Sequence, residues 1–102
     1  MEKKVKQIIG YKIQEGQEVE FLKIKDQMIK ESKSLEGLYS STTSKSLDEN
    51  NVYIDTMVWQ SKQNALDACE NFRELPTANK FMELMTGPPL FQYMMEFEKD
   101  TI

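Results

Sequence analysis

The stretch Asn51-Val52-Tyr53-Ile54-Asp55-Thr56-Met57-Val58-Trp59-Gln60-Ser61-Lys62-Gln63-Asn64-Ala65-Leu66-Asp67-Ala68-Cys69-Glu70-Asn71-Phe72 contains a change of period that decides the architecture. Val52 to Trp59 are rich in β-branched and aromatic residues, whereas Ala65, Ala68, Cys69 and Phe72 recur at helical spacing. Ser61 falls between the two halves. A serine hydroxyl there accepts a hydrogen bond from an orphaned backbone N–H of the first turn, so the helix starts at Ser61. The unit is strand, tight turn, helix. Cys69, on the apolar stripe of that helix, reads as a small buried hydrophobe.

Downstream, the helix runs toward Leu75-Pro76, where the residue before proline is pushed out of the helical region. Thr77 can then cap a shorter helix carrying Phe81, Leu84 and Met85. Thr86-Gly87-Pro88-Pro89 stops that helix, and Leu90 to Glu98 alternate as a last strand with bulky apolar groups on both sides.

Upstream, Leu35 to Lys45 read as a strand with a polar outer half, joined to Val52–Trp59 by the turn cluster Leu47-Asp48-Glu49-Asn50-Asn51 as a hairpin. Gln17 to Ser32 place Phe21, Ile24 and Met28 at helical spacing, with Glu18 and Glu20 in the first turn and Lys30 and Lys33 near the end, as the helix dipole favours. The charged remainder of that helix reads as a solvated face. Val5 to Gln14 form the first strand, with Val5, Gln7, Ile9, Tyr11 and Ile13 on a side suited to a helix-covered core. The order is βαββαβ. The expected fold class is α+β, a ferredoxin-like four-stranded antiparallel sheet with its helices on one face.

A chain of 102 residues has room for one domain, spanning 1–102. Its formal charge of −4 lacks the basic footprint of a nucleic-acid or anionic-membrane partner. No apolar stretch has membrane-spanning length, and one cysteine permits no internal disulfide, which fits a reducing cytoplasm. The sequence contains no histidine, so the commonest general base and the usual zinc and haem ligand are missing.

Two helices cover one face of such a sheet, and the other should be polar in a monomer. The central strand instead carries Val52, Ile54, Thr56 and Val58 on one side and Tyr53, Asp55, Met57 and Trp59 on the other. Leaving a Trp, a Tyr and a Met in water forfeits about 1.5–3 kcal/mol each. A homodimer burying that aromatic row is therefore expected, and two sheets face to face make a barrel. A ligand would lie in the barrel interior or between helices and sheet.

The run Val52-Tyr53-Ile54-Asp55-Thr56-Met57-Val58-Trp59-Gln60-Ser61-Lys62-Gln63-Asn64-Ala65, together with Tyr11-Lys12-Ile13-Gln14-Glu15-Gly16 and the terminal strand, resembles the antibiotic biosynthesis monooxygenase (ABM) domain over nearly the whole chain. The resemblance implies a dimeric α+β barrel whose relatives include cofactor-independent monooxygenases that turn phenolic polycyclic molecules into quinones, and haem-degrading enzymes. It implies no cofactor for the first group. The quinone-forming site resembles a Trp on the third strand with an Asn four residues before it, plus Tyr and Arg from the helix region that follows. Trp59 matches the Trp, Asp55 stands where the amide would be, and Ala65 and Asn79 occupy the other two positions. Haem degradation is not expected, because the chain lacks the histidine and Ala68 stands near the place of the second-helix Trp.

Asp55 is the candidate catalytic residue: a carboxylate in mid-strand between Tyr53 and Met57 can act as a base toward an acidic phenol. Pairing with Lys6 or Lys12, or a place on the rim, is the competing reading. Trp59, Tyr53, Met57, Tyr11 and Tyr93 are the candidate substrate-binding residues, and the same aromatic row can equally be dimer core. The expected function is a monooxygenase-like protein acting on a small aromatic or phenolic molecule; the alternative is a non-catalytic binding or structural dimer of the same fold.

Overall fold

The computed structural model describes residues 4–102. In chain order it contains β1 (Val5–Lys12), α1 (Glu18–Ser32), β2 (Leu38–Lys45), β3 (Val52–Trp59), α2 (Lys62–Asn71), one 3-10 turn (Phe72–Glu74), α3 (Ala78–Leu84) and β4 (Leu90–Met95). The strands make a single antiparallel sheet in the order β2-β3-β1-β4. This is the ferredoxin-like arrangement that the order of elements implies. Among the described residues no helix is long and apolar enough to cross a membrane.

The local chemistry explains most boundaries. Ser61 caps α2, its hydroxyl accepting from the Asn64 N–H at 3.2 Å. The β2–β3 turn is held by the Ser46 hydroxyl, which accepts from the N–H groups of Asp48 and Glu49 at 3.1 and 3.0 Å, and Asn51 closes it at φ 65°, a conformation asparagine tolerates. Three elements are shorter than their sequence patterns. β1 stops at Lys12, because Ile13 bridges to Met85 and its N–H donates to the Asn51 carbonyl at 2.8 Å. β2 begins only at Leu38, after a turn through Gly37, and β4 ends at Met95 rather than Glu98. Thr77 precedes α3 without capping it; its hydroxyl donates instead to Glu31 at 2.8 Å and ties α3 to α1.

Register decides which face is which. Val5 lies opposite Trp59, Gln7 opposite Met57 and Tyr93, Ile9 opposite Asp55 and Phe91, and Tyr11 opposite Tyr53. Residues opposite one another in an antiparallel pair point to the same side. Gln7, Tyr11, Tyr53, Asp55 and Trp59 are all buried, so this is the helix-covered side. That corrects the expectation that a second copy must cover the row of Tyr53, Met57 and Trp59; the chain's own helices do so. The open face carries Lys6, Ile8, Gly10 and Lys12, then Val52, Ile54, Thr56 and Val58, and on the edge Leu90, Gln92 and Met94.

The densest packing lies at one end of the helix-covered side, around Tyr11, Ile13, Phe21, Ile24, Met28, Tyr53 and Phe81. Phe21 and Tyr53 meet with ring centroids 4.5 Å apart, and Phe81 meets Tyr11 edge-on at 5.2 Å. Such pairs contribute about 0.5–1.5 kcal/mol each beyond the area they bury. At the other end the packing opens.

Candidate functional site

Between the sheet and the helical layer lies a cavity of about 330 Å³. On the sheet side it is walled by Gln7, Ile9, Ser41, Asp55, Met57, Trp59 and Phe91, and on the helix side by Lys25, Met28, Ile29, Ala68, Cys69, Phe72, Arg73 and Met82, among others. The lining is mainly apolar with few polar groups, and the volume falls at the small end of the range for small-molecule sites. Its position follows from two sequence features. The small Ala68 side chain of α2 leaves room over the sheet, and the 3-10 turn before Pro76 places Phe72 and Arg73 on the lining.

Asp55 is its central polar group. Only 4% exposed, it sits in mid-β3 and accepts through Oδ1 from the hydroxyls of Tyr11 and Thr43, both at 2.9 Å. Through Oδ2 it accepts from the Lys25 ammonium of α1. The partner is therefore neither Lys6 nor Lys12; both lie on the open face, and Lys25 reaches Asp55 because α1 packs on the same side as the carboxylate. Lys25 is 9% exposed and lies over the rings of Phe81 and Tyr11, at 5.2 and 5.7 Å from their centroids. Burial, and next the charge of Asp55, push the Tyr11 hydroxyl well above the ordinary tyrosine range.

A second chain of polar contacts runs along the cavity wall. Trp59 Nε1 donates to Gln7 Oε1 at 3.0 Å, and Gln7 Nε2 donates to Cys69 Sγ at 3.1 Å. Cys69 Sγ in turn lies 3.4 Å from the Tyr93 hydroxyl. The bond to Cys69, and after it burial, push Tyr93 up to about 12. Cys69 is exposed rather than buried, because the cavity and not packed core lies beneath that turn of α2. Gln7, although buried, has both ends of its amide partnered.

A third cluster stands outside the cavity. The Tyr53 hydroxyl donates to Glu18, whose carboxylate also pairs with Lys45 at 2.6 Å. Burial and then the bond to Glu18 push Tyr53 up to about 12. Lys45 and Tyr53 hold Glu18 below its ordinary value.

Of the residues singled out from the sequence, Asp55, Met57 and Trp59 stand together on the cavity wall. Tyr11 lies behind them, in contact with Asp55; Tyr53 belongs to the core and to the Glu18 cluster; Tyr93 stands beside Cys69 near β4's edge of the sheet. Lys25, Gln7 and Arg73 were not singled out, yet all three line the cavity. Lys25 carried a signal: it interrupts the apolar stripe Phe21, Ile24, Met28, and a lysine on a core-facing stripe needs a buried partner. Gln7 carried a similar one, as the polar member of the core side of β1.

Fold and cavity together define a class: a small α+β sheet-and-helix protein with an apolar, single-chain pocket walled by a carboxylate, a lysine and a tryptophan. Known structures share this fold. One from Bordetella bronchiseptica, described as a candidate antibiotic biosynthesis monooxygenase, superposes with a TM-score of 0.84 at 15% identity, over 95% of this chain and 100% of that one. A candidate antibiotic biosynthesis monooxygenase from Caulobacter crescentus gives 0.78 at 19% identity, covering 94% of this chain and 92% of its own. The cofactor-independent oxygenase SnoaB from Streptomyces nogalater gives 0.74 at 18% identity, over 99% of this chain and 98% of that one. At such identities the likeness is one of fold. No family model matches the chain, and no curated protein matches its sequence.

Proposed function

We propose that residues 1–102 act as one monooxygenase-like domain that oxidises a small phenolic molecule with dioxygen, without metal or flavin, in the cavity between helices and sheet. The observation that carries this reading is a buried carboxylate, Asp55, on the wall of an apolar cavity of about 330 Å³ beside Trp59 and Met57. Two structures with this fold support it, one described as a candidate antibiotic biosynthesis monooxygenase and one as a cofactor-independent oxygenase.

The chemistry is self-sufficient in electrons. A phenol bearing a ring C–H para to its hydroxyl reacts with one dioxygen to give a quinone and one water: the ring gives up four electrons, and one oxygen atom enters the product while the other leaves as water. Deprotonation raises the electron density of the ring, so a base at the hydroxyl promotes the step, and Asp55 is that base. Trp59 and Met57 offer an aromatic face and a polarisable thioether to the ring.

The competing reading, a binding protein with no reaction, is favoured by the three donors already satisfying Asp55. Aerobic incubation with a panel of naphthols and anthrone-type phenols, followed by quinone absorbance and oxygen uptake, separates the two. Turnover by the native protein that falls at least a hundredfold in Asp55→Asn is expected. Tight binding with no oxygen uptake establishes the binding protein instead, and an unchanged rate in Asp55→Asn removes Asp55 from the mechanism.

The working assembly proposed is a homodimer in a reducing cytoplasm, joined through the open face of the sheet. The support is that Leu90 and Met94 on that face are 76% and 52% exposed and Ile54, across β1 on the same face, 44%.

A further inference from the structure

Asp55 does not line the cavity alone; Lys25, whose ammonium neutralises it, lines the cavity from the helix side. An ammonium has three N–H donors. Lys25 spends one of them on Asp55 Oδ2, and among the described residues no second oxygen accepts from it; the rings of Phe81 and Tyr11 lie with their centroids 5.2 and 5.7 Å away. A buried ammonium, a group that water hydrates strongly when exposed, left with idle donors at the edge of an apolar chamber is placed to receive a further acceptor from inside that chamber.

The carboxylate is asymmetric in a complementary way. Oδ1 already accepts from two hydroxyls, Tyr11 and Thr43, while Oδ2 accepts from Lys25 alone. The oxygen with room for an incoming proton is therefore the one beside the ammonium.

We propose that Lys25 is a further catalytic residue of this site: it binds the phenolic oxygen of the substrate and, as the proton passes to Asp55 Oδ2, exchanges the carboxylate for the phenolate as its anionic partner. The substrate O–H bond breaks, an O–H bond forms on Oδ2, and Lys25 keeps its three protons. One positive and one negative charge are present before and after, so no isolated charge is ever created in the apolar cavity. A carboxylate base without Lys25 would leave a bare phenolate there, at a much higher cost. The ligand class follows: a small aromatic whose ionisable oxygen enters first and whose rings fill the apolar remainder, beside Trp59 and Met57. The inference rests on the aromatic-ligand reading above and adds to it a second residue and a polarity of binding.

The test reads ionisation rather than turnover. A nitronaphthol, whose neutral and anionic forms absorb at different wavelengths, is titrated into the protein. Binding is followed through quenching of Trp59, the one tryptophan of the chain. In the native protein the bound dye already shows its anionic band at least one pH unit below the pH at which the free dye ionises, its proton having passed to Asp55. In Lys25→Met the neutral dye binds more weakly but still quenches Trp59, and its anionic band appears only at or above the pH at which the free dye ionises. Equal ionisation in both proteins overturns the role of Lys25 while leaving the aromatic-ligand reading intact. Absence of any quenching by the dye or by plain naphthols overturns that reading, and the role of Lys25 with it. Should Lys25→Met fail to fold, the double variant Lys25→Met/Asp55→Asn, which leaves no unpaired buried charge, carries the comparison. It is expected to hold the dye neutral, and bound anion below the pH at which the free dye ionises overturns the proposal.

Discussion

Asp55 and Lys25 illustrate how little a buried ion pair says about stability. Desolvating the two charges costs several kcal/mol each, a loss their attraction roughly offsets, so an apolar pair of the same shape would serve the fold as well; losing one partner alone costs about 3–5 kcal/mol. The pair is better understood through what it faces, which is the cavity. The tyrosines, by contrast, carry a clear stability signature. Tyr53 ionises at about 12 in the folded chain against 10.0 when free, chiefly through burial and then through its bond to Glu18. Its folded value is the raised one, so its contribution is complete below pH 10 and is lost as pH climbs toward 12. Tyr11, raised by burial and by Asp55, adds to the same alkaline loss. The urea midpoint of the native protein should thus fall between pH 10 and 12, and fall less in Tyr53→Phe; identical alkaline losses in the two proteins would mean that Tyr53 is not the titrating group.

At the level of elements, the sequence announced its architecture where local chemistry and periodicity agree. Val52–Trp59 is β3 with the bounds its composition suggests, and Ser61 caps α2, its hydroxyl accepting from the Asn64 N–H and donating to Asn64 Oδ1. What could not be read was register. The period-two pattern divides a strand into two rows, but only pairing with β1 tells which row meets the helices, and the pairing of Val5 with Trp59 and Tyr11 with Tyr53 placed the aromatic row inward. The same limit hid the partner of Asp55, since α1 carries three lysines, Lys23, Lys25 and Lys30, and only its packed orientation selects Lys25. Gly37 is a further element-scale detail visible only in three dimensions. At φ 79° it turns the chain into β2, and a Cβ there would come within 2.5 Å of the Asn64 side chain on α2.

For the whole molecule the unsettled weight lies on the open face of the sheet. Ile8, Ile54, Val58, Leu90 and Met94 make it partly apolar, while Lys6, Lys12, Thr56 and Gln92 keep it mixed. Association through this face would bury Leu90 and Met94 and protect the β4 edge, which a lone copy presents unpaired. Sedimentation equilibrium is expected to give twice the chain mass for the native protein and the single mass for Ile54→Lys/Met94→Lys, with the circular dichroism unchanged. A native protein that sediments at single mass at micromolar concentration rules the dimer out.

Four thioethers, those of Met28, Met57, Met82 and Met85, surround the chamber in which dioxygen is proposed to react. Each is a sacrificial surface, because peroxide converts a methionine into a polar sulfoxide. If the proposed oxidation released peroxide inside it, such a chamber would age, each oxidised methionine making the wall wetter and the next aromatic ligand weaker. Mild peroxide treatment followed by peptide mass spectrometry should find Met94 and Met95, 52% and 60% exposed, modified first with naphthol affinity intact, and affinity declining only as Met57 and its neighbours gain oxygen. Affinity lost while the chamber methionines are still unmodified would place the point of wear elsewhere. On this account the lifetime of the protein is set by the lining of its cavity before it is set by the stability of its fold.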